Sequence, residues 1–224
     1  MSSLYLDIET TSIDHAAAFV ETPTAPANYK DAAKIDAYVI EAKARAIERC
    51  ALDFGLLRIG AIGLGAWTAG GEVETHTTCC ATEAEEAAAL RHLWTRIEAT
   101  FLSGGVVVGY NLAEFDMPAI ITRSWLLGVS PGFATVRKYD DPHVLDLMQI
   151  TSFGRIERAK KLSWWATRLG WAHDDTLTGA QMPALIQAGE WDAVRRHVEA
   201  DVALTMRLHR LLMPGVGGAY VRRS

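Results

Sequence analysis

The sequence has few of the features that mark secreted or membrane proteins. Its 224 residues include only three cysteines, Cys50, Cys79 and Cys80, and the adjacent pair lacks the C-x-x-C spacing of a metal site. We therefore expect reduced thiols and a cytoplasmic location. No apolar run is long enough to span a membrane, and a predicted strand begins by about Leu4, which leaves no room for a signal peptide. We expect no contact with a membrane.

The sequence also lacks an excess of positive charge. Its net charge of −5 argues against strong nonspecific binding to duplex nucleic acid, but it permits a small site where a cation offsets acidic side chains. With 50% hydrophobic and 22% charged residues, the composition is that of a soluble globular protein, and the length suits one α/β domain. Six histidines lack the spacing of zinc ligands, and we assign them no role: His15, His76, His92, His143, His173 and His209.

The N-terminal segment alternates between two kinds of residue, as a β-strand does. Leu4, Leu6 and Ile8 fall on one face, while Asp7 and Glu9 leave the other face about 6–7 Å apart along the strand. The two acids therefore point the same way. A solvated strand end is the alternative to a functional pair.

Further along, strands come first and helices are interleaved afterwards, which predicts a mixed-sheet α/β domain. Asn111 and Glu114 have the spacing of a capping box at the start of a helix through about Leu127. Residues 143–150 suit a short strand or a helix, and the tail at 215–224 is expected to be mobile. The other predicted elements are a loop over 10–30, an amphipathic helix from about Asp31 to Cys50, strands at 57–67, 72–78 and 106–108, and helices at 83–101, 160–169, 180–188 and 191–213.

Four acidic residues stand in segments that are otherwise apolar: Asp7 and Glu9 in LYLDIETT, Asp116 in VVVGYNLAEFD and Asp201 in RRHVEADVALTMRL. Asp201 lies within the apolar stripe of the last helix, one turn from His197. Acidic side chains are rarely buried unless they are paired or bind a cation. Their convergence would indicate a divalent metal site and phosphoryl chemistry. Taken singly, Asp116 also suits an ordinary helix start, and Asp201 a structural Asp–His pair.

Three segments together resemble a known family. LYLDIETT, GYNLAEFD and HVEADVALT are similar, in this order, to the three motifs of the DEDD (DnaQ-like) 3′–5′ exonucleases. The C-terminal half resembles the proofreading exonucleases related to family B polymerases. The match covers most of 1–214, apart from an insertion at about 12–54 that is similar to insertions in stand-alone phage and bacterial exonucleases.

This resemblance implies a ribonuclease-H-like α/β fold, which is a mixed β-sheet flanked by helices, with the helical insertion after the first strand. It implies a single exonuclease domain over 1–214. Thr10 and Asn111 resemble the positions that contact the terminal nucleotide, although each also suits a cap or a turn. In such a site two divalent ions, Mg²⁺ or Mn²⁺, are held by four acids, here Asp7, Glu9, Asp116 and Asp201.

The third motif departs from the family pattern at one position. The tyrosine branch has a tyrosine four residues before the last aspartate, and the histidine branch has a histidine five residues before it. Here His197 lies four residues before Asp201, and Arg196 lies five before. We expect His197 to be the general base or to orient the attacking water, for which imidazole is suited near neutral pH. Because imidazole is shorter than a phenol, direct action, action through a bridging water and no role at all stay open as alternatives.

Residues near the motifs suggest supporting roles. Asp146 matches an acidic position close to the site in some relatives, and we expect it to brace the site. Two groups have both a functional and an ordinary explanation. The first group consists of basic residues, which would either steer phosphates toward the site or simply face solvent: Arg155, Arg158, Lys160 and Lys161. The second group consists of tryptophans, which would either stack on bases or pack in the core: Trp164, Trp165 and Trp171.

The expected function is a two-metal 3′–5′ exonuclease that releases nucleoside monophosphates from single-stranded DNA. DNA is favoured over RNA because the resemblance is to polymerase proofreading domains, and for the same reason a polymerase or other replication and repair proteins are expected partners in trans. The alternatives are an exoribonuclease or oligoribonuclease, and a catalytically silent nucleic-acid-binding module. The 12–54 insertion is expected to border the mouth of the site and restrict entry to single strands.

Overall fold

The computed structural model describes residues 3–68, 70–134, 142–171 and 176–213. Its sheet has five strands in the order β3-β2-β1-β4-β5. Strand β1 is antiparallel to β2, which is antiparallel to β3, whereas β4 and β5 run parallel to β1. The strands are β1 (Leu4–Ser12), β2 (Leu57–Trp67), β3 (Val73–Cys79), β4 (Val107–Gly109) and β5 (Val144–Asp146).

Helices cover both faces of this sheet. A π-helical turn, Leu112–Asp116, leads into α3, and short 3₁₀ helices occur at Ala16–Ala18, Cys50–Leu52, Ile156–Arg158 and Gly179–Gln181. None of the described helices combines the length and apolar character that a membrane crossing requires. The α-helices are α1 (Ala32–Arg49), α2 (Glu83–Leu102), α3 (Met117–Leu126), α4 (Leu147–Ser152), α5 (Leu162–Arg168), α6 (Met182–Ala188) and α7 (Trp191–Leu212).

The two faces of β1 enter different hydrophobic clusters. Leu4, Leu6 and Ile8 pack with α2 and α3 on one side of the sheet. Tyr5, which alternates with them, packs with α5, α6 and α7 on the other side. Side chains two residues apart in a strand share a face, so Asp7 leaves the sheet toward the α7 layer.

Most predicted elements are present, with boundary differences of at most three residues. The segment 143–150 contains both of the predicted alternatives, because β5 is followed directly by α4. Helix α1 forms where it was predicted, with Asp31 accepting the backbone N–H groups of Ala33 and Lys34 as its N-cap. None of the residues of α1 is fully buried, so its apolar face is only partly covered.

The single domain over 1–214 and the assignment of 12–54 as an insertion stay predictions. The tail at 215–224 lies outside the described residues.

Candidate active site

Strand β1 is longer than its parallel neighbour β4. The two strands pair at Leu4 and Tyr5, so the backbone of β1 at the acidic pair lies beyond the described pairs with β4. Asp116 contacts this part of β1, since its Oδ1 accepts the backbone N–H of Ile8 at 3.0 Å. This hydrogen bond places a third carboxylate beside the backbone between Asp7 and Glu9.

On its other side, β1 faces small residues of β2. Asp7 is opposite Gly63, and Glu9 is opposite Ala61. The register then shifts between Glu9 and Thr10, which is a β-bulge. Bulges redirect the side chains around them and are frequent next to active sites.

Glycines in β2 let α7 approach the sheet closely. A Cβ atom at Gly63 would lie 2.2 Å from Cγ1 of Val198, and one at Gly65 would lie 2.5 Å from Cγ1 of Val202. These glycines carry out a positioning role that we did not predict from the sequence. The signal is present in RIGAIGLGAW, because glycine in a strand interior often marks the close approach of another segment.

The close approach of α7 brings the third motif against the first. His197 is 4% exposed, and its Nε2 lies 3.1 Å from Oε1 of Glu9. Asp201, one turn further along α7, is close enough for its charge to raise the pKa of Asp7. The structure thus brings together all five side chains that the motifs single out.

The capping box predicted at Asn111 is wrong. Asn111 has a left-handed backbone (φ 65°) and its side chain makes no capping hydrogen bond. Asp146, at the end of β5, takes this role from a distant segment. Its Oδ1 accepts the N–H groups of Asn111 at 3.0 Å and Met148 at 2.9 Å, and its Oδ2 accepts that of Ala113 at 3.0 Å.

Asp146 therefore holds the loop that carries Asp116 by its backbone. It also begins α4, because Met148 is in the first turn of that helix. The expectation that Asp146 braces the site agrees with these contacts. The physical reason is that a carboxylate can accept several N–H groups at once, which an asparagine at a local cap cannot do equally well.

The acidic side chains are crowded together in a buried environment. Burial raises the pKa of Asp7 well above its usual range, and the charges of Asp116, Glu9 and Asp201 raise it further. Burial also raises the pKa of Asp116 to about 8, although the N–H of Ile8 acts in the opposite direction; the charges of Asp146 and Glu9 add to the rise. Such a cluster is stable only with bound protons or with a cation.

One oxygen in this cluster lacks a hydrogen-bond partner. Oδ2 of Asp7 is buried, and none of the described residues donates to it. An unpaired buried acceptor is costly unless a ligand satisfies it. The donor set consists of carboxylate oxygens, which suits a hard divalent cation such as Mg²⁺ or Mn²⁺.

The acids do not already form a finished coordination site. In the described ranges, no three or more His, Cys, Asp or Glu side chains stand in an arrangement that could hold a metal ion as they are. Coordination would therefore require side-chain rotations, for example of Glu9 away from His197. The chemistry of the donors and the unpaired oxygen of Asp7 fit a metal, and the side-chain positions would have to adjust to it.

The two residues expected to contact a nucleotide differ in their surroundings. Thr10 is buried, and its hydroxyl donates to the carbonyl of Ala51 at 2.6 Å, which ties β1 to the 3₁₀ turn after α1. That hydrogen bond gives Thr10 a structural role. Asn111 is partly exposed beside the acidic cluster. Nucleotide contact by either residue stays a prediction.

The tryptophans and basic residues after β5 are divided between core and surface. Trp165 and Trp171 pack against the α5–α7 cluster, as the ordinary explanation predicts. Trp164 is 42% exposed. The basic side chains of this segment are all exposed, namely Arg155, Arg158, Lys160 and Lys161.

The five-stranded mixed sheet flanked by helices has the ribonuclease-H-like α/β fold, as the sequence predicted. A product-bound structure of exonuclease I shares this fold, with a TM-score of 0.53, 12% sequence identity, and coverage of 94% of this chain and 43% of that chain. The chain thus spans less than half the length of that exonuclease. No family model and no curated protein matches the sequence.

Proposed function

We propose that this protein is a divalent-metal-dependent 3′–5′ exonuclease that hydrolyses the terminal phosphodiester bond of single-stranded DNA and releases nucleoside monophosphates. The observation that carries the proposal is the cluster of acids from three distant segments around the unpaired Oδ2 of Asp7. Their mutual repulsion has no evident use in folding. The similarity in fold to a structure described as product-bound exonuclease I supports the same conclusion.

The proposed metal ligands are Asp7, Glu9, Asp116 and Asp201, which would hold two Mg²⁺ or Mn²⁺ ions. When bound, such ions lower the pKa of the attacking water and stabilise negative charge on the leaving oxygen. Asp116 is oriented for this role by the N–H of Ile8. Asp146 in turn holds the loop before Asp116 in place through backbone N–H groups.

His197 is the proposed general base. Its Nε2 lies 3.1 Å from Oε1 of Glu9, so the imidazole reaches one of the proposed metal ligands. In the proposed reaction, His197 would accept the proton of the attacking water or orient that water. The imidazole is buried, so it is itself shielded from bulk solvent.

The substrate assignment is based on the resemblance to polymerase proofreading domains. Asn111, partly exposed beside the cluster, is the proposed contact of the terminal nucleotide. The 12–54 segment is proposed to border the mouth of the site. One of its links to β1 is the hydrogen bond from the Thr10 hydroxyl to the carbonyl of Ala51.

The test uses matched 5′-labelled DNA and RNA strands incubated with Mg²⁺, Mn²⁺ or EDTA. We expect a ladder of products shortened from the 3′ end, dependence on metal, and faster cleavage of DNA. Preferential laddering of RNA would assign the protein as an exoribonuclease instead. Intact strands of both kinds in the presence of metal would contradict the proposal.

A pair of variants on α7 controls for general damage. Asp201→Asn removes one proposed ligand and should abolish laddering. Asp192→Asn makes the same change at an exposed position of the same helix, where the carboxylate contacts Arg195 at the surface, and should leave laddering unchanged.

A further inference from the structure

The segment after β5 presents exposed aromatic and aliphatic side chains among basic ones. Phe153 is 81% exposed, Ile156 is 69% exposed and Trp164 is 42% exposed. The segment 153–168 contains five basic residues and one acidic residue, whereas the whole chain has a net charge of −5. We call these residues the 153–168 surface.

Phe153 has a backbone conformation for which glycine is the usual residue. It ends α4 in the left-handed region, with φ 56° and ψ 40°. The N–H groups of Phe153 and Gly154 close the helix end on the carbonyls of Ile150 and Gln149. Glycine is the usual residue at such a helix end, and a bulky side chain with positive φ is strained.

The side chain of Phe153 is mostly exposed, so its packing does little to offset this backbone strain. A glycine at this position would relieve the strain without opening a cavity. Strain that folding does not require points to a function for the side chain. An exposed, flat aromatic ring held at a fixed helix end suits stacking against another ring.

Trp164 has a rigid support and a neighbouring charge. Its ring meets that of Trp165 at 90°, with centroids 5.0 Å apart, and Trp165 is anchored in the α5–α7 cluster. Nζ of Lys160 lies 5.9 Å from the centre of the Trp164 ring. The surface thus offers a fixed aromatic face next to a cation.

This surface adjoins the acidic site. Helix α4 starts directly after Asp146, and its six residues span roughly 9 Å from the site to Phe153. The hydroxyl of Tyr110, the residue before Asn111, donates to the carbonyl of Lys160. Helices α4 and α5 both contact α7, which carries His197 and Asp201.

We propose that the 153–168 surface binds the single-stranded nucleic acid chain that lies upstream of the nucleotide in the active site. Bases would stack on Phe153 and Trp164, while Arg155, Lys160 and Lys161 contact phosphates. This inference rests on the proposed function. Exposed aromatic rings alternating with cations are the pattern that binds single strands without sequence preference, and the positive charge is complementary to a polyanion.

The test measures binding without cleavage. Fluorescence anisotropy in EDTA would follow 5′-fluorescein-labelled oligothymidylates of 3 and 15 nucleotides, with the full chain. Phe153→Ala and Trp164→Ala should each weaken binding of the 15-mer about tenfold and leave the 3-mer nearly unchanged. The double variant Lys160→Gln/Lys161→Gln should lower the slope of log affinity against log salt by about 1.4.

Two control variants lie on the α2–α3 side of the sheet. Trp125→Ala removes a tryptophan that is 57% exposed on α3, and Arg91→Gln/Arg96→Gln removes two exposed charges from α2. Both should bind the 15-mer within about twofold of the unaltered protein. Equal weakening by the controls and the test variants would overturn the proposal.

Hydrolysis of the p-nitrophenyl ester of thymidine 5′-monophosphate with Mn²⁺ separates this proposal from the proposed function, because the ester has no upstream chain. If the test variants bind the 15-mer as the unaltered protein does, the binding surface is refuted whatever the ester shows. If the test variants lose binding and the unaltered protein hydrolyses neither the ester nor the oligonucleotide, the surface is supported and the exonuclease assignment fails. An unaltered protein that binds neither oligonucleotide would refute the surface and favour a protein as its occupant.

Discussion

Nε2 of His197 lies 3.1 Å from Oε1 of Glu9, a contact that joins the last helix of the chain to its first strand. His197 stands four residues before Asp201, where the sequence resemblance would imply a tyrosine. The contact with Glu9 means that the imidazole reaches the acidic cluster from this position. This contact is the observation that supports the proposed role of His197.

We expect His197→Ala to lower the single-turnover rate on a labelled DNA strand by about a hundredfold or more, because acid–base groups typically contribute factors of this size. His92→Ala, at an exposed position on α2, is the matched control and should be silent. Thermal unfolding of both variants shows whether the fold is retained. A loss of less than about tenfold in a folded variant would remove His197 from the mechanism.

Gly63→Ala should separate α7 from the sheet. The new Cβ atom would meet Cγ1 of Val198 at 2.2 Å, so the helix that carries His197 must move. We expect a decrease of about 1–3 kcal/mol in the free energy of unfolding, typical of overpacking, together with a large loss of nuclease activity. Urea unfolding and the labelled-strand assay measure the two effects.

The clash at Gly63 can be relieved from the other side. Val198→Ala removes the methyl group in conflict, so Gly63→Ala/Val198→Ala should recover activity relative to Gly63→Ala alone. Gly70→Ala is the control, because its Cβ atom would meet only Oγ1 of Thr68, at 3.7 Å. Failure of the double variant to recover would show that close packing of α7 is not what Gly63 provides.

Asp146→Ala should weaken the site without removing a proposed metal ligand. Three backbone N–H groups, those of Asn111, Ala113 and Met148, would lose their acceptor. Buried donors left without partners destabilise by about 1–3 kcal/mol each when water cannot reach them. Residues that support metal ligands typically change metal affinity or activity by about 10–100-fold, and we expect a loss in this range in a Mn²⁺ titration of activity.

Thr82→Ala is the comparison for Asp146→Ala. It removes the N-cap of α2, where the Thr82 hydroxyl accepts the N–H of Glu85, on the far side of the sheet. It should cost about 1 kcal/mol of stability with no change in the Mn²⁺ requirement. Equal changes in the Mn²⁺ requirement for the two variants would mean that Asp146 acts only through general stability.

Without metal, the acidic cluster should make stability depend on pH. The pKa of Asp116 is about 8 in the folded protein against an ordinary value of 3.8, so the folded state binds the proton more tightly. This contribution is fully present below about pH 4 and is lost as the pH rises through about 8. Urea unfolding in EDTA should therefore show falling stability between these values, and the fall should be smaller with saturating Mg²⁺.

The pH effect is isolated by comparison with Asp116→Asn, which cannot ionise. The contribution of His209 to the pH dependence of stability has the opposite sign. Burial lowers the pKa of His209 in the folded protein, so below about pH 6.5 protonation of this imidazole favours the unfolded state. The difference between the unaltered protein and Asp116→Asn cancels this contribution. Parallel pH profiles for the two proteins would contradict the expectation.

Local sequence patterns predicted the parts of this site that depend on a single element. The alternation in LYLDIETT placed Asp7 and Glu9 on one face of a strand, and the apolar stripe of α7 placed Asp201 toward the core. A two-residue or 3.6-residue period is set by backbone geometry, so it can be read from neighbouring residues. The fold class followed from the same patterns and the resemblance.

Other features arise only when distant segments meet. The capping box at Asn111 was a reasonable local pattern, but Asp146 supplies a stronger acceptor from β5, and Asn111 adopts a left-handed backbone instead. The contact of His197 with Glu9 likewise depends on how closely α7 lies on β2, which the glycines in β2 permit. The sequence by itself determined which side chains face the interior of each element; the tertiary structure decided which of them touch, because contacts between elements depend on packing distances that no local period encodes.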